Sequence, residues 1–468
     1  MPINSFDHYP MAWRPSKDAL TRPVYLSLAA LLEEDISNGL LPTGTKLPPQ
    51  RELADFLDIN FTTVTRAYKV CENKGLLFAI TGKGTFISPN AAKSVTIAKK
   101  AGSSEIDLAF GSTFEQTNVM VVDSIRAVAD QNSVDKLLSY DHPTGFPHHK
   151  EAALRWLKPL NIKADTNQLA IVSGAQSALA IALSSLFEPG NRIVTDFFTY
   201  ANFIELARMY HVQLIPISAD VHGMSAAELE EKCSKMNIHG IFLMPSGCNP
   251  TTRIISEKRK RELADVIYKY RLLLIEDEII ASFLTETNSY SQPLFNSLPD
   301  QTVYINSTSK TICSGLRVAY MIFGRPLARK ITEGIYNLST KPSSLDTDII
   351  SELIRNGTAH KIFKQKKSLL EQANRIYHSY FPDVQEQENP FSYFRWLPIP
   401  STAAGREVEE EIRQQGVHVL HSDRFISGGY SSEVKHLRIS LSATNSFEEL
   451  SEGLRRLKHY ISFMTGNN

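Results

Sequence analysis

No apolar stretch in this chain approaches the roughly 20 residues that a membrane-spanning helix needs, so a spanning segment is not expected. Cysteine is scarce: Cys71, Cys233, Cys248 and Cys313 are its four, scattered, and no two form a CxxC pair. That spacing argues against a disulfide framework or a cysteine zinc site and suits incidental thiols of a reducing compartment. Net charge is also missing, at +0 over 50 basic and 50 acidic residues. A protein that coats nucleic acid indiscriminately carries a large positive excess, so that class is disfavoured. The first 90 residues are no exception, with nine Lys+Arg against nine Asp+Glu. DNA contact would have to come from a few placed cations and from dimerisation, with weak non-specific affinity. Residues 1–7 lack a basic region followed by an apolar stretch, so a cytoplasmic protein is expected. No internal repeat is found.

What is present is enough for two or three globular domains: 468 residues, 42% hydrophobic and 21% charged. Near the N-terminus, Leu26, Leu28, Leu31, Leu32 and Ile36 recur at helical spacing and predict a helix over 23–38. A short helix over 50–57 buries Leu53, Ala54 and Leu57. After a turn at 58–60, Asn60 caps a helix over 61–73. Residues 76–80 and 85–88, around Gly82-Lys83-Gly84, read as a hairpin. Helix, helix–turn–helix and hairpin in that order make a winged helix. Residues 89–104 hold little that could pack and read as a solvated linker. From 105 onward short apolar runs alternate with helical patterns. Strands are predicted at 169–172, 192–196, 213–217, 241–244, 272–276 and 303–307, with a helix over 256–270. The alternation implies an α/β domain with a mostly parallel sheet covered on both faces. The tail from about 361, including 408–415 and 447–464, reads as a smaller α+β subdomain.

Two sets of residues carry chemistry. The first is Leu47, Pro48, Arg51, Leu53, Ala54, then Thr63, Val64, Ala67, Tyr68, then Gly82, Gly84, Thr85, Phe86. At these spacings the segment resembles the GntR class of winged-helix regulators. The resemblance implies that the helix from Phe61 enters the major groove N-terminus first, presenting Thr62, Thr63, Arg66 and Lys69. Arg51 would reach the backbone or a guanine edge, and Lys83 at the hairpin tip a phosphate or the minor groove. Relatives often carry an arginine where this chain has Phe61, which is expected to pack against the first helix or meet a thymine methyl. A solvated helix face remains the plain alternative for Arg66 and Lys69, and an ion pair for Arg51.

The second set begins with Lys310, in Ser307-Thr308-Ser309-Lys310 after a predicted strand, with Gly315-Leu316-Arg317 behind it. Over about 105–468 the order of residues resembles fold-type I aminotransferases, which implies pyridoxal 5'-phosphate (PLP) held as a Schiff base on Lys310. Ser307, Ser309 and Arg317, with the backbone of Gly174, Ala175 and Gln176 at a helix start, would hold the phosphate. Asp277 would pair with the pyridine nitrogen, Glu276 and Glu278 being its competitors in register. Asn249, in Asn249-Pro250-Thr251, would donate to the phenolic oxygen, and Tyr200 would stack on the ring. Arg438 would fork the carboxylate of an amino-acid effector. Tyr140 belongs to a segment that borders a neighbouring subunit's pocket. Ile279 stands where relatives often have a second tyrosine donor, which counts against efficient turnover.

Together the halves resemble the MocR subgroup of GntR regulators. What that implies is a winged helix (1–88), a linker (89–104) and an aminotransferase-like effector domain (105–468). It further implies a head-to-tail homodimer on operator DNA and an amino acid, amine or PLP itself as effector. On this reading physiological turnover is not expected, with at most a residual transaminase half-reaction in the domain. The rival reading is a catalytically active aminotransferase with an accessory DNA-binding module. No metal site is expected.

Overall fold

The recurrence of Leu28, Leu32 and Ile36 every four residues puts one apolar edge on α1 (Val24–Ser37), and those side chains are fully buried. Leu26 lies off that edge and is exposed, so the apolar stripe is narrower than the leucine count suggests. The chain is described by a computed structural model over residues 10–464, excluding 39, 43, 81, 89–90, 92–94, 99–103, 133, 383–388, 390, 401–404 and 429–433. Helix α2 (Gln50–Leu57) ends on Asp58 in the left-handed conformation, and α3 (Phe61–Asn73) starts at once. Asn60 caps α3 by accepting the Thr62 N–H at 2.8 Å. Tyr68, buried in α3, donates to the Pro48 carbonyl at 3.0 Å and pins it to the segment before α2. Strands β1 (Leu77–Ile80) and β2 (Gly84–Ile87) pair antiparallel, with Lys46 bridging to Phe86 beyond them. These elements share one core, from Leu28 through Val64 and Cys71 to Ile87.

The larger domain is built on a seven-stranded sheet. Its strands are β3 (Leu169–Val172), β4 (Arg192–Asp196), β5 (Gln213–Ile217), β6 (Gly240–Leu243), β7 (Leu273–Asp277), β8 (Thr302–Ser307) and β9 (Ala319–Phe323). Their order across the sheet is β3-β9-β8-β7-β6-β4-β5. Strand β9 runs antiparallel to both neighbours, while the pairings among β4 to β8 are parallel. Every residue of β3, β6, β8 and β9 is buried, as strands covered on both faces require. Helix α4 (Ala175–Leu186) packs on one face, contributing Leu179, Ala182 and Leu183 to that core. A second, three-stranded antiparallel sheet places β12 (Lys435–Ser440) between β10 (Phe394–Ile399) and β11 (Leu420–His421). It forms the smaller subdomain with the helices Gly405–Gln414 and Phe447–Met464.

Between the reader and this domain, the expected linker is not wholly solvated. Of residues 89–104, ten lie outside the described ones: 89–90, 92–94 and 99–103. Val95 is buried with Ala109, Ala201, Trp396, Leu420 and Phe425. Its N–H donates to the Glu205 carboxylate at 2.6 Å, and the Ile97 N–H donates to Asn202 Oδ1 at 2.8 Å. Two apolar residues in a polar segment sufficed to dock it. Asn73, closing α3, accepts from Gln213 of edge strand β5 at 2.8 Å. No helix among the described residues is long and apolar enough to cross a membrane.

Candidate functional site

Parallel strands gather their carboxyl ends on one side of a sheet, and the loops leaving those ends form the crevice where α/β proteins hold ligands. Lys310 leaves β8 in the one-turn helix α5 (Thr308–Thr311), capped by Ser307, whose hydroxyl accepts the Ser309 N–H at 3.2 Å. The Lys310 side chain is buried and its Nζ donates to the carbonyls of Gly111 and Ser112. Burial draws this amine down from 10.5 to about 7, with the charges of Lys366 and Arg438 adding to the effect. A large share of the amine is thus unprotonated near neutrality, the form that attacks an aldehyde.

The three consecutive acids at the end of β7 and just past it, Glu276 to Glu278, separate cleanly. Glu276 accepts the backbone N–H groups of Leu294 and Phe295 at 2.7 and 2.9 Å. Glu278 accepts the Ser246 N–H at 3.1 Å and faces Lys260 at 3.7 Å. Asp277 is buried and its Oδ1 has no hydrogen-bond partner among the described residues. Burial, with Glu278 alongside, pushes its carboxyl from 3.8 up to about 7. Such an orphaned acid calls for a cation or a donor from elsewhere.

On the other side of Lys310, Arg317 adopts a positive φ of 51° and donates to Ser309 Oγ at 3.1 Å and to the Ser314 carbonyl at 3.4 Å. Gly174, at φ 88°, opens α4, and a Cβ added there would collide with the Arg317 guanidinium. Glycine therefore lets backbone N–H groups and a guanidinium share one small space, the requirement for cradling a phosphate dianion. Tyr200 follows β4, donates to Gln176 Oε1 at 3.3 Å, and lies within electrostatic reach of Asp277, Arg438 and Arg317; burial raises its phenol to about 12. Arg438, buried on β12, donates through Nη1 to Asn249 Oδ1 at 3.0 Å and through Nη2 to the Ala109 carbonyl. It sits 4.2 Å from the Phe394 ring centre and 5.0 Å from that of Phe425, and burial lowers it to about 9. Lys310, Ser307, Ser309, Arg317, Gly174, Ala175, Gln176, Tyr200, Asn249, Asp277 and Arg438 thus line one locality. Tyr140 is 82% exposed and Ile279 half-buried beyond the end of β7.

Three neighbours of Lys310 have no counterpart in the sequence motifs. Tyr393 donates to the Lys310 carbonyl at 2.9 Å, and its ring centre stands 4.7 Å from Nζ. Phe394 is 5.7 Å from the same nitrogen. Lys366 is fully buried in the helix Thr358–Tyr380, without a hydrogen-bond partner among the described residues, and burial lowers its amine to about 8. The only sequence signal for the last is a lysine on the apolar face of its helix.

In the reader, Arg51, Thr62, Arg66, Lys69 and Lys83 are exposed and Thr63 is half-buried. Thr62 spends its hydroxyl on Asn60 Oδ1 at 2.7 Å. Lys69 is held by Glu72 at 3.1 Å, and the Arg66 guanidinium lies 6.0 Å from the Tyr25 ring centre. Phe61 does not pack into the core as its size suggests. It is 42% exposed, with the guanidinium of Arg51, from α2, 5.7 Å from its ring centre.

Residues 104–457 match the family model "Aminotransferase class I and II", and residues 24–87 match "Bacterial regulatory proteins, gntR family". The HTH-type transcriptional regulator YdeF of Bacillus subtilis (strain 168) is 33% identical over 99% of this chain and 100% of its own length. This chain belongs to the GntR regulators that carry an aminotransferase-like domain, the MocR subgroup. Another HTH-type regulator of that organism, YdfD, is 22% identical over 96% of this chain and 98% of its own length. Among solved structures, kynurenine aminotransferase of Pyrococcus horikoshii superposes with a TM-score of 0.71 at 20% identity. The match covers 78% of this chain and 92% of that one, and speaks to the fold. A MocR regulator binds DNA through its winged helix, and the cofactor its second domain implies is PLP. The donor set described above fits that group: an amine, an orphaned buried acid, and a glycine-opened cradle beside a guanidinium.

Proposed function

We propose that this MocR regulator senses an amino acid, an amine or PLP itself in its aminotransferase-like domain (105–468) and passes the signal to its winged helix (1–88). The cytoplasm is the expected compartment, and a head-to-tail homodimer the expected form on operator DNA. When bound, PLP supplies an aldehyde for covalent attachment and a ring that draws electrons from the attached group. Lys310 is the covalent anchor. Asp277 holds the ring nitrogen protonated, and that proton gives its idle oxygen a partner. Arg317, Ser307, Ser309 and the N–H groups of Gly174, Ala175 and Gln176 hold the phosphate. Tyr200 covers the ring and Asn249 faces the phenolic oxygen. Arg438 meets the effector carboxylate, leaving or sharing its bond to Asn249.

The observation that carries this reading is the paired anomaly at the site's centre: a buried lysine near neutrality and a buried acid with one oxygen unpartnered among the described residues. A route outward is also available. Asn202 carries the Ile97 contact on its side chain, while its carbonyl accepts from Gln176 at 3.4 Å. Gln176 in turn takes the Tyr200 hydroxyl. A change at the ring is therefore three hydrogen bonds from the segment that tethers the reader. Ile279, unable to donate where a tyrosine is usual, favours sensing over turnover. The test is purified full-length protein with PLP: absorbance in the visible, borohydride fixation mapped to Lys310, and footprints upstream of its own gene with and without candidate amines. A colourless protein with Lys310 unmodified refutes the sensing site. Repeated release of keto acid from an amino acid would instead establish the enzyme reading.

A further inference from the structure

Pro147 opens the helix Pro147–Leu157, so His148 and His149 fall in its first turn. Adjacent residues on a helix point about 100° apart and ordinarily serve different partners. Here both imidazoles turn to one atom. Nε2 of His148 and Nε2 of His149 each lie 3.1 Å from Oδ1 of Asp348, which comes from the helix Ser344–Arg355 packed against the first. Their ring centres are 4.1 Å apart, and the three ligand atoms lie within 4.8 Å of one another. The His149 and Asp348 side chains are 0% and 3% exposed, whereas His148 is 44% exposed. Hydrogen bonding alone uses this cluster poorly. One carboxylate oxygen would accept twice, while buried Oδ2 of Asp348 has no partner among the described residues. The nearby cation Arg355 is itself engaged by Glu352 at 3.0 Å.

We propose that His148, His149 and Asp348 bind a first-row divalent transition-metal ion, zinc being the type. Two imidazole nitrogens and a carboxylate are the donors this ion favours, and bonds of about 2.0–2.2 Å set neighbouring ligand atoms about 3–3.4 Å apart. The ion gives Asp348 its missing counter-charge, and the exposed side at His148 leaves a fourth position for water. It clamps the two helices together beside the Phe146 ring, whose centre is 5.7 Å from that of His148 and 5.4 Å from that of His149. The site is separate from Lys310 and stands whether or not PLP binds. Full-length protein loaded with PLP, stripped of metal by a chelator and desalted, is titrated with zinc chloride by calorimetry. One saturable equivalent per chain at micromolar zinc is expected, with a raised unfolding temperature. His148→Ala, a half-exposed change that leaves the core intact, weakens that step at least about tenfold and removes the thermal gain; Asp348→Asn does the same if it folds. No saturable step, or one of equal affinity in His148→Ala, overturns the proposal.

Discussion

Asp277→Asn should stabilise the protein without PLP while weakening its hold on PLP. The carboxyl is buried, its Oδ1 has no partner among the described residues and only the Ile279 N–H supports the group, so its folded value of about 7 stands well above its ordinary 3.8. A raised acid favours the folded state fully below its unfolded value, and that advantage is lost as pH rises to the folded value. Measured against a neutral isostere, the carboxyl therefore costs about 2 kcal/mol at pH 5, where folding must protonate it, and about 4 kcal/mol at pH 8, where it is buried charged and the loss is complete. Asparagine occupies the same space without the charge. Calorimetric unfolding of both apoproteins at pH 5 and pH 8 should show the variant's larger-domain transition higher by several °C at pH 8, with a smaller gain at pH 5. With PLP added the order reverses, because the ring-nitrogen partner is gone. An apo variant no more stable than wild type at pH 8, or a gain independent of pH, would refute the claim that an uncompensated carboxylate sits there.

Gly174→Ala forces a Cβ into the Arg317 guanidinium at a φ that favours glycine, so PLP affinity should fall about 10–100-fold in an equilibrium titration. Asn60→Ala removes the α3 cap and should cost the reader about 1 kcal/mol in thermal unfolding, with operator affinity falling alongside. Arg438→Ala should abolish the footprint's response to an amino acid while visible absorbance still reports bound PLP. Asn202→Ala should leave both ligands bound yet shrink the effect of one upon the other, read as a smaller change in DNA affinity on adding PLP.

Much of this fold was legible because its elements announce themselves locally. The strands at 169–172, 192–196 and 213–217 were read from apolar runs bounded by turn residues, and observed β3, β4 and β5 coincide with them. β6, β7 and β8 differ from their expected positions by a single residue at one or both ends. Strand β9 escaped notice: Ala319–Phe323 is short and uniformly apolar, a pattern shared by strands and buried helical turns. In the site, Lys310, Asp277 and Arg317 sit at fixed distances from strand ends and so leave a trace in sequence. Tyr393, Phe394 and Lys366 do not, because they come from the smaller subdomain and its connecting helix, whose approach to β8 no local spacing records. Glu276 and Glu278 could be told from Asp277 only once their partners were visible, since alternation along a strand puts both on the face opposite Asp277. The docking of Val95 was missed for a related reason: composition judged residues 89–104 as a whole, while two side chains decided where the segment lies.

That docking sets the scale on which the two domains can communicate. Burying Val95 contributes about 2 kcal/mol, and the hydrogen bonds that the Val95 and Ile97 N–H groups donate to Glu205 and Asn202 about 1 kcal/mol or somewhat more each. The sum is comparable to the 1–3 kcal/mol by which one bound ligand typically alters the affinity for another. A tether much stronger would lock the reader in one arrangement, and one much weaker would leave it indifferent to the site. Asn202 and Glu205, which hold the tether, sit in the helix Ala201–Met209 that begins directly after Tyr200, so a backbone shift at Tyr200 would reach them. Differential contact with the linker, present in one arrangement and lost in another, is what a bound effector needs in order to bias DNA binding at all.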